Sequence, residues 1–143
     1  MEKFKRILVA TDGSEFSEAA LEYAIDLAKK NYAELFIVYV VPLAPLGSAW
    51  EDDRIREKLR QEGEEILKKA KEKVKRKGRM AEIILKEGVP SEEILKTAKE
   101  KNVDLIVMGS HGRTKLQKII LGSVAERVIG GAHCPVMVLK KTK

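Results

Sequence analysis

A chain of 143 residues, 44% apolar and 35% charged, is long enough to bury the core of a single domain, which we expect to span residues 1–143. Its 28 Lys and Arg outnumber 22 Asp and Glu, and the net charge of +6 suits an anionic small molecule, nucleic acid or simply solubility. The sequence has no long apolar run that could span a membrane and no signal pattern for secretion, so we expect a cytoplasmic protein. Cys134 has no second cysteine with which to form an internal disulfide, and we expect it to be buried as a small apolar residue.

Five short apolar runs predict five β-strands. They are rich in Val and Ile and are apolar at successive positions, which is typical of parallel strands buried on both faces of a sheet. In chain order, the predicted strands cover residues 6–11, 34–41, 81–86, 104–108 and 135–139.

Four stretches between these runs have the spacing of amphipathic helices. The third opens with Pro90, which is favourable at a first helical position, and the fourth ends at Gly130 and Gly131. The alternation of strands and helices predicts an α/β fold, with a doubly wound parallel sheet, right-handed crossovers and helices on both faces. The predicted helices cover residues 14–31, 52–77, 90–102 and 123–130.

The last strand has the features of an unpaired sheet edge. Pro135 has no N–H group to donate to a neighbouring strand, which favours an edge position. An apolar edge strand over residues 136–139 invites pairing with a second copy of the chain. We therefore expect a homodimer formed through this strand.

The segment between the fourth strand and the fourth helix has the features of a phosphate site. Gly109 and Gly112 permit close backbone approach, and Gly122 and Ser123 open a helix whose first N–H groups attract an anion. The spacing matches neither the common P-loop nor the dinucleotide-binding fingerprint. Taken alone, the pattern leaves an alternative open, in which the glycines serve turns and Ser123 is a helix N-cap.

A second candidate site follows the first strand. Asp12 either caps the first helix, with Glu15 completing a box-like pattern, or accepts hydrogen bonds from a ligand hydroxyl or amine. Both roles are compatible. If the first and fourth strands are neighbours, Asp12 and Gly109 face the same crevice at the carboxyl edge of the sheet.

The glycine spacing and its surroundings resemble those of a known family. The pattern is Gly109, two residues, Gly112, nine residues and then Gly122-Ser123. It resembles the pattern that marks the ATP-binding branch of the universal stress proteins. The strings over residues 7–14, 104–112 and 123–128 are also similar to that family, and the resemblance covers essentially the whole chain. One departure is Lys115, where many relatives have glycine.

This resemblance implies a fold, a ligand and a set of site residues. The sheet would have five strands in the order 3-2-1-4-5, in a Rossmann-like, adenine nucleotide alpha hydrolase-like fold that dimerises through the fifth strand. ATP would bind with Mg2+ or Mn2+ held through its phosphates, and no catalytic or metal-ligating side chain is expected. Expected at the adenosine end are Ala10, Thr11, Asp12 and Val40. Expected along the ribose and phosphates are Gly109, His111, Gly112, Gly122, Ser123 and Val124, and Met108 completes the set.

The sequence leaves three functions open. The first is an ATP-dependent regulatory module of a stress response with unknown protein partners, and the second is a slow ATPase or phosphotransferase. The third, specific nucleic-acid binding, is disfavoured because the basic residues over 68–77 form a solvated helix face and aromatic residues make up only 5% of the chain. Trp50 either covers the adenine base or packs against the long loop after the second strand or against a partner.

Overall fold

A five-stranded parallel sheet, in the order β3-β2-β1-β4-β5, forms the centre of the protein. The computed structural model describes residues 4–42, 53–111 and 121–140. The α/β class and the strand order predicted from the sequence are confirmed. The strands are β1 (Arg6–Ala10), β2 (Glu34–Pro42), β3 (Ala81–Gly88), β4 (Leu105–Gly109) and β5 (Val136–Leu139).

Helices cover both faces of this sheet. Apolar residues of α1 and α2 pack on one face, and those of α3 and α4 pack on the other. Within the described ranges, no helix combines the length and the apolar character that crossing a bilayer requires. The helices are α1 (Glu15–Asn31), α2 (Asp53–Arg76), α3 (Pro90–Glu100) and α4 (Ser123–Gly131).

Strand β1 shows why the central strands read as continuous apolar runs. Ile7 and Val9 pack towards α1 and α2, whereas Leu8 and Ala10 pack towards α3 and α4. Alternate side chains of one strand point to opposite faces, and here both faces are covered. Burying each large side chain contributes about 1.5–3 kcal/mol, so a polar residue at either set of positions would be unfavourable.

The pairing of β1 with β4 creates a crevice. From β1 the chain moves outward through β2 and β3, then returns to place β4 on the other side of β1. Ile7 pairs with Leu105 and Val9 pairs with Val107, so the two strands end side by side. Ligands of open α/β sheets bind at such a reversal of strand order.

The edge position predicted for the last strand is confirmed, but the ends of several strands differ from the predicted ones. Strand β5 does lie at an edge, but Pro135 precedes it and accepts a 3.0 Å hydrogen bond from the N–H of Ile106 through its carbonyl oxygen. At the other edge, β3 continues to Gly88, two residues beyond the predicted end. Strand β2 continues to Pro42, one residue beyond its predicted end.

The start of α1 corrects the expectation that Asp12 caps this helix. The N-cap is Ser14, whose hydroxyl oxygen accepts a 3.2 Å hydrogen bond from the N–H of Ser17. Asp12 instead accepts from the N–H of Ser14 at 2.9 Å through Oδ1, in the turn that precedes the helix. Gly13 adopts a φ of 83° in this turn, a conformation that shifts the helix start beyond Asp12.

Helix α4 begins at the predicted residue, Ser123, but differs from the sequence-based expectations in its cap and its end. Its N-cap is Gly122, and Ser123 is the first helical residue, so the alternative of Ser123 as the cap is wrong. The helix continues through Gly131, one residue beyond its predicted end. It stops at Ala132, which is extended with a φ of −71°, and no left-handed glycine is used there.

Candidate functional site

A cavity of about 410 Å³ lies at the carboxyl edge of the sheet, beyond the ends of β1, β2 and β4. Its volume is within the range of roughly 300–1,000 Å³ that is usual for small-molecule sites. Every site residue expected from the sequence that lies in the described ranges lines it. These are Ala10, Thr11, Asp12, Val40, Met108, Gly109, His111, Gly122, Ser123 and Val124.

Several expected features fall outside the described residues. They include Gly112, the middle glycine of the motif, and the nearby charges of Arg113 and Lys115. Trp50 and most of the long loop after β2 also lie outside the described ranges.

Nine further residues of the described ranges line the cavity and were not expected. Val38 was detectable, because it shares a face of β2 with Val40, two residues away. Pro90 and Ile94 come from α3, whose distance from the sheet is set by packing and not by any local motif. The additional lining residues are Ser17, Val38, Tyr39, Pro42, Leu59, Pro90, Ile94, Ser110 and Ala125.

The turn after β1 is held by short-range hydrogen bonds. The hydroxyl of Thr11 donates to the hydroxyl oxygen of Ser17 at 3.0 Å, and both residues are buried. The N–H of Gly13 donates to the same Thr11 oxygen at 3.3 Å. Together with the contact between Asp12 and Ser14, these bonds fix the backbone that carries the Asp12 carboxylate at the wall of the cavity.

The start of α4 forms another wall. The backbone helical bonding begins with the N–H of Glu126, which donates to the carbonyl oxygen of Gly122 at 3.0 Å. The N–H groups of the preceding residues have no acceptor within the helix, as in any α-helix. Ser123 and Val124 line the cavity, so this positive helix end, which favours an anion, borders it.

Ser110 connects β4, β5 and α4. Its N–H donates to the carbonyl oxygen of Leu139 at 2.8 Å, and its own carbonyl oxygen accepts from the N–H of Gly122 at 2.7 Å. Its hydroxyl oxygen lies 2.9 Å from Nδ1 of His111. The ring of His111 in turn lies 5.2 Å from the ring of Phe16, measured between centroids.

Two motif glycines have a packing role in addition to any ligand role. A Cβ on Gly109 would lie 2.6 Å from the Cβ of Phe16, and a Cβ on Gly122 would lie 3.0 Å from the carbonyl oxygen of Ser110. A larger residue at Gly122 would therefore press on the chain's own backbone. Loss of ligand binding on its substitution would not by itself identify a phosphate site.

The described wall of the cavity carries few charged side chains. Asp12 is the only carboxylate among the described lining residues, and these residues include neither Lys nor Arg. Across the described ranges, no cluster of three or more His, Cys, Asp or Glu residues has the arrangement of a metal site. Within this wall, the attraction for an anion comes from the start of α4 and from polar N–H and O–H groups.

Cys134 is only partly buried, whereas the sequence led us to expect a buried residue, and it does not line the cavity. It packs beside the apolar cluster formed with α3 and α4. Burial and, secondarily, the charge of Asp104 raise the pKa of its thiol. A raised pKa disfavours the thiolate, which is the reactive form of cysteine.

Comparison with known proteins gives consistent results. Residues 3–140 match the profile of the Universal stress protein family. Universal stress protein MJ0531 of Methanocaldococcus jannaschii is 46% identical, over 98% of this chain and 84% of that protein. Universal stress protein YxiE of Bacillus subtilis is 42% identical, over 96% of this chain and 99% of that protein.

Solved structures agree with the fold. Protein MJ0577 of M. jannaschii has a TM-score of 0.88 at 34% identity and covers 99% of both chains. A universal stress protein in complex with cAMP has a TM-score of 0.74 at 25% identity, over 99% of this chain and 100% of that one. The universal stress protein of Archaeoglobus fulgidus in complex with dAMP has a TM-score of 0.67 at 26% identity, over 96% of this chain and 98% of that one. With its profile match, sequence identities and fold in agreement, this chain belongs to the universal stress protein family.

Proposed function

We propose that the protein binds ATP in the cavity at the carboxyl edge of the sheet, as a nucleotide-dependent regulatory module of a stress response. The observation that carries this proposal is the start of α4, which borders the same cavity as the Asp12 turn. We assign the phosphates to the wall formed by the start of α4, and the ribose or the base to the wall that carries Asp12. An adenine nucleotide has this division of chemistry.

The proposed orientation follows the two ends of the cavity. The adenosine part of the nucleotide is contacted by Ala10, Thr11, Asp12 and Val40. The Asp12 carboxylate accepts hydrogen bonds from it. Met108 supplies apolar contact. Along the ribose and phosphates lie Gly109, His111, Gly112, Gly122, Ser123 and Val124.

Similar proteins support an adenine nucleotide as the ligand. Two members of the family were solved in complex with cAMP and with dAMP, which share the adenine base and a single phosphate. We favour the triphosphate, because the spacing of Gly109, Gly112 and Gly122-Ser123 resembles that of the ATP-binding branch of the family and the start of α4 attracts anions. A divalent cation, Mg2+ or Mn2+, would be held through the phosphates and would neutralise part of their charge.

We favour a regulatory role over catalysis. Phosphoryl transfer requires a group that activates the attacking nucleophile next to the terminal phosphate. Asp12, the carboxylate of the described cavity wall, would lie at the adenosine end in this orientation. Slow ATP hydrolysis or phosphotransfer is the alternative, and release of inorganic phosphate that a site variant abolishes would support it.

The same proposal includes the state of the protein in the cell. We propose a cytoplasmic homodimer that pairs through β5, whose residues are partly exposed at the edge of the sheet. Its protein partners are unknown, and we propose no specific nucleic-acid target.

The test is a calorimetric titration of the protein with ATP and Mg2+, using a variant that separates ligand charge from folding. Ser123→Asp adds a negative charge at the first residue of α4. An acid there is favourable for the helix itself, by about 0.3–1 kcal/mol, but it repels a phosphate. We expect this variant to fold and to lose ATP binding.

Gly130→Asp is the matched control. It adds the same charge near the other end of α4, where a new Cβ meets nothing within 4 Å. We expect it to bind ATP as the unchanged protein does. If Ser123→Asp bound ATP with unaltered affinity, the start of α4 would not be the phosphate site.

A further inference from the structure

The side chains of Ser110 and His111 form a hydrogen-bonded pair in the wall of the cavity. The hydroxyl oxygen of Ser110 lies 2.9 Å from Nδ1 of His111. Ser110 is only 1% exposed, whereas His111 is partly exposed, and both line the cavity. The buried Ser110 therefore contacts His111, the residue of the pair that is more accessible to a ligand.

Ser110 is held in place by its own backbone. Its N–H donates to Leu139 at the end of β5, and its carbonyl oxygen accepts from Gly122 at the start of α4. These two bonds, of 2.8 and 2.7 Å, leave the residue little freedom to move. Because the backbone of Ser110 is held in place, its hydroxyl can fix the position of the His111 ring through their hydrogen bond.

The burial of Ser110 indicates the direction of the hydrogen bond. A hydroxyl carries one proton to donate, and leaving a buried donor without an acceptor costs about 1–3 kcal/mol. In the described part of the chain, the side-chain acceptor at hydrogen-bond distance from this hydroxyl is Nδ1 of His111. If Nδ1 accepts, the ring proton of the neutral imidazole is on Nε2.

We infer that Ser110 is a positioning residue: it donates to Nδ1 of His111 and holds this ring in the Nε2–H form, so that Nε2–H donates to a phosphate oxygen of the bound nucleotide. The last step rests on the proposed function, because it requires the phosphates to lie beside His111. Phosphate oxygens only accept hydrogen bonds, so an N–H donor is the complementary group. A nitrogen that carries its proton cannot ligate a cation, so His111 contacts the phosphate and not the metal.

Long-range proton–nitrogen NMR spectra of the protein without nucleotide test the first step. The chain has two histidines, and the second supplies an internal reference. Nε2 of His133 lies 3.1 Å from the carbonyl oxygen of Val103, which can only accept, so His133 must also carry its proton on Nε2. In alkaline buffer, where imidazole is neutral, we expect both rings to show the Nε2–H pattern.

Ser110→Ala should change one ring and not the other. Without the hydroxyl, we expect the His111 signals to shift towards a mixture of the two tautomers, while those of His133 stay constant. His111→Ala assigns the signals. An Nδ1–H pattern for His111 in the unchanged protein would overturn the inference.

A double-mutant cycle on the affinity for ATP with Mg2+ tests the second step. We expect Ser110→Ala to weaken binding about 3- to 10-fold when His111 is present, the effect of losing one hydrogen bond. In the His111→Ala background we expect almost no further loss, because Ser110 acts through His111. An equal loss in both backgrounds would mean a general structural role for Ser110 and would overturn the inference.

The result also separates this inference from the proposed function. If the unchanged protein failed to bind ATP, the proposed function and the phosphate contact of His111 would both be wrong. If it bound ATP normally and Ser110→Ala altered neither the tautomer nor the affinity, only the role of Ser110 would be wrong.

Discussion

Gly109 and Phe16 approach each other so closely that no side chain fits between them. A Cβ on Gly109 would lie 2.6 Å from the Cβ of Phe16 and 2.7 Å from its carbonyl carbon. The end of β4 is thus packed directly against the first turn of α1. The glycine that begins the motif is required by the fold itself, whatever it contributes to a ligand.

Gly109→Ala is therefore expected to lower the stability of the protein. The atoms in the way belong partly to the backbone of Phe16, which cannot rotate aside, so the helix or the strand must shift. Overpacking of this kind usually costs about 1–3 kcal/mol. Urea unfolding measures the change in the free energy of unfolding.

The same substitution at Gly130 is the control. This glycine is in the last turn of α4, and a new Cβ there meets nothing within 4 Å. Replacing a helical glycine by alanine stabilises by up to about 0.5–1 kcal/mol. Equal stability of the two variants would show that β4 and α1 are not packed as described.

A charge cluster between α1 and α2 is expected to make stability depend on pH. Nζ of Lys73 lies 2.8 Å from a carboxylate oxygen of Glu22 and 3.4 Å from one of Glu18. The hydrogen bond and the charge of Lys73 lower the pKa of Glu22 from its ordinary value of 4.5. Partial burial alone would lower the pKa of Lys73, but Glu22 and Glu18 together outweigh it and raise that pKa above 10.5.

The directions of these shifts define the pH window. A lowered carboxyl pKa stabilises the fold above pH 4.5 and ceases to do so as the pH falls through the folded value. A raised lysine pKa stabilises it below pH 10.5 and ceases to do so as the pH rises through the folded value. The cluster therefore contributes at neutral pH and loses its contribution at both extremes.

We expect Glu22→Gln to destabilise the protein by about 0.5 kcal/mol at neutral pH and low salt, because the Glu22 side chain is more than half exposed and water screens its interaction with Lys73. The difference from the unchanged protein should shrink towards pH 3. Asp26→Asn, at an exposed acid on the same helix, is the control. A Glu22→Gln effect that stayed constant from pH 7 to pH 3 would contradict the assignment.

The proposed dimer predicts the behaviour of the β5 edge. Met137 is partly exposed in this strand, and a lysine on an edge strand opposes pairing with another chain. We expect light scattering at micromolar concentration to give twice the mass of the chain, and Met137→Lys to give a monomer. Ile129→Lys, which changes an exposed apolar residue of α4, should remain dimeric. A monomeric unchanged protein would contradict the proposal.

The strands were predictable because a doubly covered parallel sheet demands apolar side chains on both faces. Ile7 and Leu8 meet different helices, so neither position tolerates a polar residue. The start of α1 was harder to predict. Asp12 and Ser14 are both capping residue types, and the choice between them depends on the backbone turn at Gly13, whose φ is 83°.

In the candidate site, too, some residues could be predicted from the sequence and others could not. Asp12, Gly109 and Gly122 were identifiable because each stands where a strand ends or a helix begins. The contributions of Pro90 and Ile94 were not, because they depend on how closely α3 packs over the sheet. The pair formed by Ser110 and His111 was also missed, since adjacent residues seldom interact in a strand and the contact arises only after β4 has ended.

The central claim is that an adenine nucleotide occupies the cavity with its phosphates at the start of α4. Mass spectrometry of the ligand that heat releases from the purified protein tests it most directly, with Ser123→Asp treated in parallel. We predict an adenine nucleotide in stoichiometric amount from the unchanged protein and none from the variant. Release of the same nucleotide in equal amount from both proteins, or of no nucleotide from a protein that also fails to take up added ATP, would contradict the claim.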